Sequence, residues 1–354
     1  MDPTRLIPQS LPIPVEWGWF YLFQVSTFIL HILVMNVMLG GAIIALVHHL
    51  RGKKETEPLT RTISVKLPFT VAFAVNFGVA PLLFMQVLYG QFLYTSSVLM
   101  AVYWLAVVGL VIAAYGSAYI YNFRYASLGG LKTVFIGLTA LSLLVTGFIF
   151  TNNMTLMLNP ESWTAYFDNP GGTILNLSDP TVLPRYLHIV ASSTALGGLA
   201  LALLYQRRKD DPQAGRWVRH GMNWYAFSTV AQMALGLWFL TSLPQRVSHL
   251  LLGGSLPHTL IFAAGAILGI FSISNALRYN VRTTAIISVT TISLMVYLRD
   301  MVRDAYLSPY FQVSDRVVTG EYSPFILFVL TLAAGLVIIA WMLKTASTDT
   351  EVRS

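Results

Sequence analysis

Residues 21–50 read YLFQVSTFILHILVMNVMLGGAIIALVHHL. Between Tyr21 and Val47 the strongly polar side chains are Gln24, His31 and Asn36. A helix rises about 1.5 Å per residue, so about 20 such residues cross the hydrocarbon core of a bilayer and this stretch is long enough to span one. His31 falls in its middle, where an ionisable group is costly and is kept with a partner and a use. The rest of the chain has the same character. Of 354 residues 55% are hydrophobic and 10% charged, with a mean hydropathy of +0.65, against about 25% charged in an ordinary soluble domain. The sequence is that of an all-α, polytopic membrane protein.

Runs of spanning length fall at roughly 18–48, 67–93, 97–122, 131–158, 181–206, 220–243, 257–278, 282–302 and 323–344. They predict nine transmembrane helices in one domain over residues 1–354, with no soluble domain and no evident internal repeat. Alternate connections differ in charge. One set carries Arg51, Lys53, Lys54, Arg61, Lys66, Arg124, Lys132, Arg207, Arg208, Lys209, Arg216, Arg219, Arg278, Arg282, Lys344 and Arg353; the other carries only Arg5, Arg185, Arg246, Arg299, Arg303 and Arg316. The positive-inside rule then sets the N-terminus outside and the C-terminus inside. The net charge of +7 reflects topology, and a nucleic-acid partner is a poor explanation for it. The proline-rich segment before Trp17 has no basic region or small-residue cleavage site and does not read as a removable signal peptide.

The chain has no cysteine, which excludes disulfides, iron–sulfur clusters and haem attached through CxxCH. Histidine is the usual protein ligand left for haem iron. His48 and His49 precede a basic turn, and His220 begins the sixth run beside Arg216 and Arg219; interfacial snorkelling accounts for all three. His188 lies deeper, in PRYLHIVASSTALGGLALALL, and the small residues after it allow a helix or a flat macrocycle to approach. His258 opens the seventh run at a similar depth and is the candidate to face His188 across one haem, with His249 a weaker one. In LMVYLRDMVRDAYL, Asp300 and Arg303 share a helix face and pair, with Arg299 and Asp304 beside them. This cluster reads either as an interfacial ion-pair network or as a site where arginines bind haem propionates and Asp300 approaches iron or a quinone oxygen. Between Glu57 and Glu161 there is no Asp or Glu, so the second to fourth helices offer no carboxylate for a proton relay.

These stretches resemble subunit I of the cytochrome bd quinol oxidases. FILHILVMNVMLGGAII resembles that family's first helix, with His31 at its haem-ligand position. VNFGVAPLLFMQVLYGQF resembles the second, with Gln86 where the family has Glu. LMLNP (residues 156–160) resembles the end of the fourth. YLHIVASSTALGGLALA resembles the fifth, with His188 at the haem b ligand. The sequence departs from the family where the opposite ligand is a methionine and His258 stands here, where Glu-x-x-Arg becomes Asp300-x-x-Arg303, and where the long quinol loop shrinks to Ser242–Pro257.

The resemblance implies a multi-pass protein of the bacterial inner (cytoplasmic) membrane with one or two haem b groups and quinol as substrate. His31, His188 and His258 would hold iron, Arg299 and Arg303 the propionates, and Asp300 and Gln86 would touch haem or quinone. Given the departures, the expectation is a b-type cytochrome that oxidises quinol and passes electrons to a periplasmic multihaem c-type cytochrome or another carrier. A bd-type terminal oxidase subunit that reduces oxygen is the alternative, and a non-haem anchor or carrier a third.

Overall fold

The computed structural model describes residues 3–208 and 210–352; Lys209 and Arg353, two of the cations counted for orientation, lie outside them. The elements are helical throughout: α1 (Trp17–Leu50), α2 (Glu57–Leu99), α3 (Ala101–Phe123), α4 (Leu131–Met157), α5 (Val182–Gln206), α6 (Ala214–Ser242), the short α7 (Gln245–His249), α8 (Leu256–Leu277), α9 (Val281–Leu307) and α10 (Tyr322–Val352). Among the described residues an isolated bridge between Ile13 and Val318 is the nearest approach to a strand.

Eight of these helices are long and apolar enough to cross a membrane. The expected sixth span meets the same test only when α6 is taken with residues 245–254, which bend away from it by 118°. The reason is local: the first half of α6 carries Arg216, Arg219, His220 and Asn223. The short turn expected before His258 is α7 followed by a wound turn in which Gly253 takes φ 117°.

Each end of the bundle is tied together by its own contacts. At the basic end Lys132 bonds Glu57 at 2.5 Å and Arg216 bonds Glu55 at 2.7 Å. At the other end Arg246 donates to the Tyr306 carbonyl at 3.0 Å, and Ile174 N–H to the Leu99 carbonyl at 3.1 Å. The second run is longer than expected: α2 is continuous from Glu57 and breaks helical geometry only at Tyr89 (φ −130°, ψ 29°).

Packing centres on α1, α5 and α6, where small residues replace the hydrophobic drive that lipid removes. Gly40 lies against the Ser193 carbonyl and Gly197, and Gly198 against Gly221. No Cβ fits at these points. Ser193 donates to Asn36 Oδ1 at 2.7 Å across the same seam. By contrast the described side chains of α10, residues 322–345, are almost all exposed, and the helix touches the bundle through Tyr322, bonded to Glu16 at 2.6 Å, and through Phe325 and Phe328, against Trp19, Phe23 and Phe84. Arg316, just before it, donates to the carbonyls of Leu11 and Val87 and anchors its start.

Candidate functional site

His31 and His188 are held by the same device. His31 Nδ1 lies 2.9 Å from the Ala74 carbonyl on α2, and His188 Nδ1 lies 3.0 Å from the Gln232 carbonyl on α6. A carbonyl only accepts, so in both rings the proton is on Nδ1 and the Nε2 lone pair is left for another partner. Room for each ring comes from a glycine four residues beyond the carbonyl: Gly78 against His31 and Gly236 against His188. The Gln232 side-chain amide donates to His188 Nε2 at 3.3 Å and would have to turn aside for a metal to be held there.

The device repeats in sequence as well as in space. His31-Ile32 is followed by Leu39-Gly40-Gly41, and His188-Ile189 by Leu196-Gly197-Gly198, at identical spacing. Asn36 and Ser193, which bond each other, are equivalent positions. So are Gly40 and Gly197, which meet at the seam. Where the sequence showed no evident internal repeat, the pairs α1–α2 and α5–α6 share this spacing and this way of holding a histidine. The pattern H-I-x6-L-G-G was the signal. It is brief enough to be lost in a chain where apolar residues are the majority.

Toward the less basic end, α9 brings a buried charged cluster beside these helices. Asp300 is fully buried and accepts from Arg303, itself buried, and from half-buried Arg299 at 3.4 Å. Tyr89, placed by the break in α2, donates to Asp304 Oδ1 at 2.6 Å. Arg299 stacks over Phe28, one turn from His31, at 4.5 Å. Arg185 stacks over Phe239 at 5.0 Å, one turn from His188. Sequence reading counted Arg185 only for topology, although its spacing from His188 places the two on one helix face.

Several atoms here are buried without a hydrogen-bond partner: Asp300 Oδ2, Arg303 Nη1 and both amide atoms of Gln24. Buried polar groups are almost always satisfied, so these orphans mark places where a polar group belongs. Cationic donors beside two oriented imidazoles fit haem, whose propionates and iron need that set of partners.

His258 lies at the start of α8 with Nδ1 2.7 Å from Ser255 Oγ, and no contact joins it to His188 among the described residues; α6 packs against both α5 and α8. His249 folds back over Gly254. Gln86 is half-buried one turn before Tyr89 on α2. His48 and His220, read as interfacial, are brought together: their Nε2 atoms are 2.9 Å apart. His49 Nε2 bonds the Tyr121 hydroxyl at 2.8 Å.

The chain superimposes on a chain of the bd oxidase from Geobacillus thermodenitrificans with a TM-score of 0.70, covering 96% of each, at 12% sequence identity. The fold is that of a bd oxidase chain. No family model and no curated protein matches the sequence. The multi-pass, all-helical architecture expected from the sequence is thus found in a known membrane oxidase. A periplasmic multihaem c-type cytochrome partner finds no support in that likeness.

Proposed function

We propose that the chain is a haem b-bearing, quinol-oxidising subunit of the bd oxidase type, a single multi-pass domain of the bacterial cytoplasmic membrane with its N-terminus outside. The observation that carries this reading is the duplicated imidazole device, in which a backbone carbonyl fixes the tautomer and aims each Nε2. Metal-bound histidines are oriented in this way by the hydrogen bond of their other nitrogen. His31 and His188 would each hold one haem, with His258 reaching the second from α8. Arg299 and Arg303, joined by Arg185, would neutralise propionates. Haem iron supplies one-electron steps between quinol and the final acceptor. Asp300, with one oxygen lacking a hydrogen-bond partner, and Asp304, held by Tyr89, are two α9 carboxylates at the end where quinol would release its protons, and Gln86 is the candidate polar contact on α2.

Oxygen is the acceptor that the fold neighbour favours. A periplasmic carrier draws its support from the missing carboxylates between Glu57 and Glu161, which leave oxygen chemistry without an acidic relay through α3, α4 and α2 beyond its first residue. The deciding experiment is a dithionite-reduced minus oxidised spectrum of the purified protein with pyridine haemochrome and carbon monoxide difference spectra. Haem b with a carbon monoxide response and quinol-driven oxygen uptake supports the oxidase. Haem b without that response moves the acceptor to a periplasmic carrier. No haem at all refutes both and leaves an anchor or carrier. H31A and H188A are each expected to remove one haem.

A further inference from the structure

At the basic end, well away from the buried charges of α9, the end of α1, the α1–α2 connection and α6 line a half-open cavity of about 290 Å³, at the lower edge of the range for small-ligand pockets. Its floor is buried His48 and Trp217, and its rim is exposed Arg51, Lys53, Arg216 and Arg219. Arg216 is committed to Glu55 at 2.7 Å. Among the described residues the other three cations have no carboxylate within ion-pair distance. Four cations against one carboxylate leave a local charge of +3 with the histidines neutral, which outweighs the roughly −0.5 charge presented by the C-terminal end of α1.

The imidazoles add a directed donor. Trp224 Nε1 lies 3.1 Å from His220 Nε2, and an indole N–H can only donate, so His220 Nε2 is an acceptor. The 2.9 Å contact with His48 then has His48 Nε2 as its donor. In its neutral form His220, which lines the cavity, therefore carries its proton on Nδ1, a donor that neither of these contacts uses.

We propose that this cavity binds a phosphoryl anion, held by Arg51, Lys53, Arg219 and the Nδ1–H of His220. The same chemistry is offered by a soluble phosphate and by an anionic lipid headgroup, for which basic pockets between transmembrane helices are a known habitat.

The test uses the full-length protein in non-ionic detergent. Inorganic phosphate is titrated against thermal stability. Retention of phosphatidylglycerol and of phosphatidylcholine is compared by native mass spectrometry. The R51Q/R219Q variant is expected to bind about 25-fold more weakly, roughly fivefold per cation. R124Q/R207Q, which removes the same charge from the same end outside the cavity, should bind within about twofold of the parent, and H220N should lose affinity with no change of charge. Saturable phosphate binding assigns the site to a soluble ligand. Preference for phosphatidylglycerol over phosphatidylcholine without phosphate binding assigns it to a headgroup. Equal losses in the two arginine pairs, unchanged affinity in H220N, or no binding of either probe would overturn the proposal.

Discussion

The two copies of the imidazole device are not equally tight, and that difference can be tested with one methyl group each. A Cβ on Gly78 would stand 2.8 Å from His31 Cε1 and 3.0 Å from Nδ1; a Cβ on Gly236 would stand 3.2 Å from both His188 Cε1 and Nδ1. Ordinary contact for such atoms begins near 3.4 Å. The His31 ring must therefore retreat by about 0.6 Å in G78A, and the His188 ring by about 0.2 Å in G236A, as steep repulsion below contact distance demands. A retreat directed away from α2 stretches the 2.9 Å bond of His31 to Ala74 to about 3.5 Å, outside the range of a hydrogen bond; the 3.0 Å bond of His188 to Gln232 reaches about 3.2 Å and survives. Loss of such an orienting bond weakens a metal site by about 10–100-fold. G78A is thus expected to lose haem at limiting haem supply while G236A keeps it, measured as haem per protein by pyridine haemochrome on monodisperse fractions. Equal loss in the two variants, or full retention with an unchanged spectrum in G78A, would refute the tautomer argument.

Breaking a buried ion pair by removing one partner costs about 3–5 kcal/mol, so D300N and R303Q should each lower the melting temperature of the purified protein, and the double variant should lose less than their sum; strict additivity in differential scanning fluorimetry would mean the pair is not coupled. G40A pushes a methyl onto the Ser193 backbone, which cannot yield, and should abolish or sharply reduce folded protein in size-exclusion profiles. Its control, G109A on α3, meets nothing within 4 Å and should leave the profile unchanged.

The spans were legible because about 20 apolar residues have one use, and the alternation of charge followed them. The bulk of the helical boundaries needed no tertiary information. α6 was read as a plain span because its apolar second half hid the polar first half that faces α1. His31 and His188 stood out as buried titratable groups, yet their carbonyl partners on α2 and α6 depend on how those helices rotate, which no single-helix pattern encodes. The same holds for His48 and His220: the close glycine contacts at Gly40, Gly197, Gly198 and Gly221 draw α1 and α6 near enough to α5 for the two rings to meet. Asp300 and Arg303 were legible as a pair from their spacing, whereas their burial was not, because it comes from α1, α5 and α8 packing on α9 and from Tyr89 lying against Arg303.

The repeat also explains where the two halves must differ. The position equivalent to Arg185, one turn before His188, is Phe28, one turn before His31. The first half therefore lacks its own cation, and the structure supplies one from α9, whose Arg299 stacks on Phe28 at 4.5 Å. His188 thus has a guanidinium one turn away on its own helix, whereas the ring one turn from His31 is covered by a guanidinium from α9. Arg303 and Asp300 extend the borrowed set into a buried, partly unsatisfied cluster. Unequal charge around two matched imidazoles places them in different fields, and under the proposed function such a difference would separate the potentials of haem groups held there. α9 has no counterpart to this cluster in the first half, where the carboxylate-free stretch lies, so the asymmetry of the chain resides in α9, and changes there should separate the behaviour of the two imidazole sites.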